Sequence, residues 1–211
     1  TANTPLSASQ TGSFNVIGIN DAPTLFNLYA TSSNTHIQGG AGTIMDANAT
    51  LSDSDLEALN GALGNWSGSS LTVVRTGGAS IDDQFSGAGN LATMTAVSGN
   101  VVLSGTTIGT YTQTAGTLAI TFNGNATNPR IQETLQSLTY RNNIVNPGSL
   151  NYDQVSITYT FNDQNSNTTG GGSAGTGQDQ GNGGFATISG TIVLPINRLP
   201  VSTSNTNSLS E

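Results

Sequence analysis

The sequence predicts a mainly β fold, an elongated antiparallel β-sandwich with one or two short helices, and three observations support this class. Apolar and polar residues alternate in several short segments, most clearly at 152–161, where Val155, Ile157, Tyr159 and Phe161 would share one face of a strand. Turn residues separate these segments at short intervals. The 211 residues, of which only 8% are charged, suffice for one large all-β domain and are typical of an extracellular β-rich module.

The same alternation places the other strands. They are expected at 13–19, 24–30, 71–75, 91–97, 100–105, 107–114, 117–123 and 185–196, with turns at 98–100, Gly105 and Ala115–Gly116. Residues 164–184 are rich in glycine and lack large apolar side chains, so we expect a long Gly-rich loop that is either disordered or a functional lid.

Two helix signals interrupt the strands. Ser54 and Glu57 form a capping box, which predicts a short helix over about 55–60 with Gly61 as its end. Pro129 suits a first helical position and predicts a second helix, with Ile131, Leu135 and Leu138 on its core face.

Composition restricts the possible partners. Twelve acidic residues oppose four arginines, lysine is absent, and the net charge is −8, which argues against nucleic acid and against an anionic membrane surface. No apolar run approaches the ~18 residues that span a bilayer, so we expect no membrane insertion. Clustered carboxylates without cysteine favour Ca²⁺ over zinc or copper. We expect several Ca²⁺ ions and an extracellular chain excised from a larger secreted protein.

The candidate calcium ligands begin with Asp46, Asn48, Asp53 and Asp55, which fall within one short segment where like charges repel unless a cation compensates. Asp53 and Asp55 have an alternative role as acids at a helix N-terminus. The complete predicted set is Asp21, Asp46, Asn48, Asp53, Asp55, Asp82, Asp83, Asp163 and Asp179.

A second candidate site surrounds Arg75. This arginine precedes a Gly-Gly turn and the acidic pair Asp82–Asp83. One interpretation is a salt bridge that closes the turn, and the other is a calcium and guanidinium site that receives a carboxylate. We expect the Gly-rich loop to face this site, and the predicted ligand-binding residues are Arg75, Gly77, Gly78, Asp82, Asp83, Asp179 and Gln180.

The order of motifs resembles the cadherin-like calcium-binding modules of giant bacterial RTX adhesins. The resemblance spans about residues 21–196 and rests on NDAP, DAN...LSDSDLEALN, GNWSGSSLTVVRTGGASIDDQFSG, GNVVLSGTTIGTYTQTAGTLAITFNGNAT, SLTYRN and VSITYTFND. More narrowly, the chain is similar to the peptide-binding domain of such adhesins, including the ice-binding type. The resemblance implies a cadherin-like sandwich that binds several Ca²⁺ and captures the free C-terminal segment of a cell-surface protein, with a bound Ca²⁺ contacting the peptide carboxylate.

The resemblance also implies an organisation and a place of action. Residues 1–22 would form an N-terminal strand and linker, 23–200 the calcium-stabilised peptide-binding domain, and 201–211 a polar tail. Neighbouring adhesin domains would be further partners, on a bacterial cell surface or in a biofilm. The alternatives are a calcium-rigidified spacer of the adhesin stalk and a calcium-dependent sugar-binding module. We expect no enzyme, because the chain has one histidine and neither cysteine nor lysine.

Overall fold

The structure is a computed structural model that describes residues 12, 18–29, 32–144, 153–165, 180, 183–184 and 186–200. In chain order, these residues form β1 (Thr24–Phe26), β2 (His36–Ile37), β3 (Thr43–Ile44), β4 (Thr50–Ser52), α1 (Ser54–Ala62), β5 (Ser70–Arg75), β6 (Asp83–Gly87), β7 (Ser98–Leu103), β8 (Thr106–Thr114), β9 (Thr117–Phe122), α2 (Asn128–Ser137), β10 (Leu138–Asn142), β11 (Gln154–Asn162) and β12 (Thr187–Asn197).

The strands form three sheets. The largest has seven strands in the order β2-β12-β11-β5-β9-β8-β7, a second has the order β3-β10-β6, and a third pairs β1 with β4. All of these pairings are antiparallel except that of β2 with β12. Side chains from the seven-stranded and the three-stranded sheets enter one core. The predicted mainly β sandwich with short helices is therefore confirmed.

Strand β11 shows why the alternating segments form this sheet. Val155, Ile157, Tyr159 and Phe161 are buried while the residues between them are partly exposed, as a period of two requires. Phe161 meets the buried Trp66 edge-on with ring centroids 5.5 Å apart. Strand β11 pairs with β12 on one side and with β5 on the other, so its buried side chains lie in the middle of the core.

Helix α1 begins one residue earlier than the capping box predicts. Its N-cap is Asp53, whose Oδ1 accepts the backbone N–H groups of Asp55 and Leu56, while Glu57 reaches back to the Asp53 N–H. Asp53 takes the role expected of Ser54 because its carboxylate satisfies two of the free N–H groups of the first turn. Helix α2 starts as predicted, with Pro129 in its first turn and Ile131 and Leu135 buried. Leu138, which was expected on the same helix face, is buried as the first residue of β10, because the helix ends at Ser137.

The expected strand at 91–97 is wrong. Apart from one bridge of Leu91 to Leu103, this segment has no strand pairing, and β7 begins at Ser98, where a turn was expected. The Gln113 side chain takes the place of a ladder here, since its Nε2 donates to the Met94 carbonyl and its Oε1 accepts the Phe85 N–H. The expected strand at 13–19 lies almost wholly outside the described residues, as does the tail at 201–211.

Candidate metal and ligand sites

The first candidate site lies where the N-terminal linker meets the end of β11 and the start of α1. Asn20 Nδ2 donates to Asp163 Oδ2 at 2.8 Å, and the Asp21 N–H donates to Asp55 Oδ2 at 2.7 Å. Asp163 directly follows β11, and Asp53 caps α1. The linker thus brings the predicted calcium ligands Asp21, Asp55 and Asp163 together, and Asp53 lies next to Asp55 at the helix cap.

Asp163 is the centre of this cluster. It is fully buried, and its Oδ1 accepts the backbone N–H groups of Asn165 at 3.1 Å and Ala186 at 2.8 Å. Its backbone carbonyl accepts Nε2 of Gln180 at 3.2 Å. Gln180, which follows the predicted ligand Asp179, is therefore held against the end of β11.

Three buried oxygens of the cluster accept no hydrogen bond within the described part of the chain: Asn20 Oδ1, Asp53 Oδ2 and Gln180 Oε1. Asn20 and Gln180 each donate to Asp163, and Asp53 lies close enough to Asp163 to be affected by its charge. Asp53 and Gln180 are each only 1% exposed. A buried acceptor without a hydrogen bond lowers the free energy of unfolding. A hydrogen-bond donor or a cation bound beside these three oxygens would remove that cost.

The pKa values report the same crowding of negative charge. Burial raises the pKa of Asp53 to about 6, and the charges of Asp163 and Asp55 act in the same direction, against the N–H bonds of the helix cap. Burial also raises the pKa of Asp55, again with help from Asp21 and Asp163. The surroundings therefore disfavour the ionised form of both carboxyl groups relative to the protonated form.

The donor set fits calcium better than a metal that needs several strong ligands. Among the described residues, no group of three or more His, Cys, Asp or Glu side chains is arranged to hold a metal ion. Ca²⁺, however, accepts amide and backbone carbonyl oxygens beside carboxylates. Asn20, Asp53, Asp163 and Gln180 supply oxygens of these kinds. Asp179, the remaining predicted ligand next to this cluster in sequence, lies outside the described residues.

Asp46 and Asn48 do not join this cluster. Asp46 is fully buried, and its carboxylate accepts the N–H groups of Tyr29 at 2.7 Å and Asn48 at 2.9 Å. With its amide oriented to suit its neighbours, Asn48 also donates to Asp46 Oδ1. Strand β4 separates Asp46 from Asp53 along the chain. Asp46 therefore lies beyond one end of the β1–β4 ladder and Asp53 beyond the other.

Arg75 and Asp83 form a buried ion pair. Arg75 Nε donates to Asp83 Oδ2 at 2.7 Å, and Nη2 donates to Oδ1 at 2.5 Å. Oδ1 also accepts the Tyr140 hydroxyl at 2.7 Å and Nδ2 of Asn142 at 3.0 Å. Of the two interpretations that the sequence leaves open, this geometry corresponds to the salt bridge that closes the turn.

The other predicted ligand-binding residues are spread over two places. Gly77 and Gly78 form the exposed turn after β5, both with positive φ, and Asp82 is half-buried with a carboxylate that accepts no hydrogen bond from the described residues. Gln180 lies at the opposite end of β5, because Asn162 pairs with Ser70 and Ile157 with Arg75, a separation of about 16 Å along the strand. The structure therefore does not bring Gln180 to Arg75.

A groove that the sequence did not indicate lies on the outward face of β6 and β10. It has a volume of about 260 Å³ and contains one charged side chain, Arg141. The only sequence signal is the alternation of SLTYRN, which puts Thr139 and Arg141 on the face opposite the buried Tyr140.

No family model, curated protein or solved structure matches the chain. Among the described residues, no helix is long and apolar enough to cross a membrane.

Proposed function

We propose that this chain is a Ca²⁺-dependent ligand-binding module of an extracellular bacterial adhesin. The observation that carries the calcium part is the set of three buried oxygens from Asn20, Asp53 and Gln180 that accept no hydrogen bond from the described residues, beside the buried carboxylate of Asp163. A bound calcium ion would supply the positive charge that these oxygens and their ionised neighbours lack. Asn20, Asp53, Asp163 and Gln180 would hold it, and Asp21 and Asp55 would add negative charge nearby.

The position of this cluster gives the ion a mechanical role. Asn20 and Asp21 belong to the linker, whereas Asp55 and Asp163 belong to the domain body. Calcium bound here would fix the linker against α1 and β11, and so fix the orientation of whatever precedes the linker. This observation equally favours the spacer function, which we retain as the second candidate.

The proposed ligand is the free C-terminal segment of a cell-surface protein. This part of the proposal rests on the resemblance to adhesin peptide-binding domains and on the presence of a cation-lined groove at Arg141. A sugar-binding module has less support, because Trp66 is fully buried and offers no stacking platform.

Calcium titration tests the first part. We expect isothermal titration calorimetry to show binding that Mg²⁺ does not reproduce, and we expect EGTA to lower the melting temperature, since saturation at 100 times Kd adds about 2.7 kcal/mol. Asp153→Asn, which changes an exposed acid paired with Arg198 away from the cluster, is the matched control for Asp163→Asn. A melting temperature that is the same in calcium and EGTA would contradict the proposal.

A peptide panel separates the two candidate functions. Peptides with free C-termini and the same peptides with amidated C-termini would be compared in calcium and after addition of EGTA. Calcium-dependent binding of the free form alone supports the ligand-binding module. Calcium-dependent stability without binding of any peptide supports the spacer.

A further inference from the structure

We infer that the groove on the outward face of β6 and β10 is a binding site for a small carboxylate ligand, with Arg141 as its anchor. The alternation of both strands builds this face. Phe85 and Tyr140 point into the core, and Ser86, Thr139 and Arg141 line the groove between the strands and the segment at 93–95. None of the predicted calcium ligands lines this groove. The inference therefore rests on the ligand-binding part of the proposed function and is independent of its calcium part.

Arg141 has no partner for its charge within the described part of the chain. Its Nε is shielded from solvent and makes no hydrogen bond. By contrast, Arg75 is paired with Asp83, Arg198 with Asp153, and Arg130 donates to the Asn125 carbonyl. Arg130 and Arg141 thus both lack a carboxylate partner among the described residues, but only the guanidinium of Arg141 also lacks a hydrogen-bond acceptor there, which a bound ligand can explain.

The surroundings of Arg141 do not neutralise it. No acidic side chain lines the groove. Asp83, on the core face of the neighbouring strand, is already engaged by Arg75, Tyr140 and Asn142. Burial and the charge of Arg141 lower the pKa of His36, against a smaller opposite effect of Asp83, so His36 is neutral at pH 7 and adds no second positive charge beside Arg141.

The donor chemistry selects a carboxylate. A guanidinium presents Nε and Nη as a planar fork that matches the two oxygens of a carboxylate. Neutral groups complete the lining, namely the hydroxyls of Ser86, Thr93, Thr95 and Thr139 and the amide of Gln84. One cation in a chain of net charge −8 suits a monoanion better than a doubly charged phosphate.

An adjoining depression indicates what the carboxylate is attached to. It has a volume of about 170 Å³, shares Gln84 and Thr95 with the groove, and is lined mainly by polar groups, including the Asp83 carboxylate that Arg75 already engages. Ile81 and Val97 border it and are 82% and 67% exposed, so the apolar surface beside the groove lies at the rim of this depression. A carboxylate that carries a short apolar side chain can therefore contact this rim from the groove, whereas a carboxylate without one contacts only the groove at Arg141.

The test uses the side-chain Nε–H signals of the arginines in nuclear magnetic resonance spectra of the calcium-saturated protein. N-acetylleucine is expected to shift the Arg141 signal and the backbone amides of Gln84 and Thr95 while leaving the Arg130 signal unchanged. N-acetylleucinamide, which lacks the carboxylate, is expected to cause no shift, and N-acetylglycine is expected to bind more weakly. N-acetylglutamic acid α-amide distinguishes a side-chain carboxylate from a terminal one.

Two variants with matched chemistry complete the test. Arg141→Gln is expected to weaken N-acetylleucine binding about tenfold or more, as loss of a charge-assisted hydrogen bond does, whereas Arg130→Gln on the exposed side of α2 is expected to leave it unchanged. Equal responses to N-acetylleucine and its amide would overturn the inference, as would tighter binding of inorganic phosphate or unchanged binding to Arg141→Gln. If Arg141→Gln does not fold, the wild-type Arg141 signal decides, since the absence of a shift with N-acetylleucine overturns the inference by itself. Failure of calcium binding would leave these outcomes intact.

Discussion

Replacement of Asp53 by Asn is expected to have opposite effects on stability with and without calcium. Asn retains a side-chain oxygen that can cap α1, so the helix keeps its N-terminal hydrogen bonds. The substitution removes the charge that burial and the neighbouring carboxylates disfavour. Without calcium, the loss of this charge stabilises the protein at neutral pH. With calcium, the same loss removes a ligand and weakens the stabilisation that the ion provides.

The pKa of Asp53 sets the size of the effect. It rises from 3.8 to about 6 on folding, so the folded protein binds this proton more tightly than the unfolded chain. The protonated form therefore contributes stability that is fully present below pH 3.8 and is lost as pH rises through about 6. At 1.36 kcal/mol per pKa unit, a shift of about two units corresponds to at most about 3 kcal/mol. Calcium-free Asp53→Asn should exceed the wild type by up to this amount at pH 7.5 and by almost nothing at pH 3.5.

Urea denaturation followed by circular dichroism measures this difference between pH 3.5 and 7.5, in EGTA and in saturating calcium. Asp153→Asn is the control, because its carboxylate is 79% exposed in a surface ion pair and its removal should change the free energy of unfolding by less than about 1 kcal/mol. If Asp53→Asn lowered stability equally in calcium and in EGTA, Asp53 would be a helix cap without a role in metal binding. If calcium-free wild type did not lose stability relative to the variant between pH 4 and 6, the crowding of charge would be refuted.

Three further substitutions test residues whose structural or ligand-binding role the sequence alone does not decide. Asp83→Asn removes the fully buried carboxylate that pairs with the partly exposed Arg75, so we expect a loss of up to about 3 kcal/mol in the free energy of unfolding, the same in calcium and in EGTA; a calcium-dependent loss would indicate a metal ligand. Asp82→Ala should change this free energy by less than about 0.5 kcal/mol, because the half-buried carboxylate accepts no hydrogen bond from the described residues; a loss as large as that of Asp83→Asn would refute this. Trp66→Phe removes the indole N–H that donates to Asn128 at 2.8 Å and leaves a cavity, so urea denaturation should show a loss of about 2 kcal/mol or more, and a neutral result would contradict the packing described.

Alternation in the sequence correctly predicted the segments that form continuous ladders with neighbouring strands. β5, β11 and β12 closely match the expected segments at 71–75, 152–161 and 185–196, since one buried face imposes a period of two on each. The segment at 91–97 was predicted as a strand too, but the Gln113 side chain hydrogen-bonds the Met94 carbonyl of this segment and the Phe85 N–H of β6. A neighbouring strand would otherwise pair with these backbone groups. Periodicity reports which face is buried and cannot report that a distant glutamine replaces a ladder.

Residue type identified the acids of the proposed calcium site but not their grouping. Asp53 and Asp163 are far apart in sequence, and they approach each other because β11 ends where β5 begins, close to α1. Asp46 is only seven residues from Asp53, yet β4 carries the two apart. Asn20 belongs to the NDAP motif but was not predicted as a ligand, although the amides of Asn48 and Gln180 were. Only the structure identifies it, through a buried Oδ1 that accepts no hydrogen bond from the described residues.

The two proposed sites should respond differently to the loss of calcium, and the sheet order is the reason. The acidic cluster lies at one end of β11 in the seven-stranded sheet, whereas the Arg141 groove lies on the outward face of the three-stranded sheet. The Arg75–Asp83 ion pair bridges these sheets near the groove, and the Tyr140 hydroxyl of β10 donates to the same carboxylate. We expect these contacts to hold the groove in shape without calcium. Removal of calcium should lower the temperature at which carboxylate binding is lost, through unfolding, while the Kd of the folded protein for N-acetylleucine stays unchanged; a Kd that rises on addition of EGTA below the unfolding transition would show that the two sites are coupled.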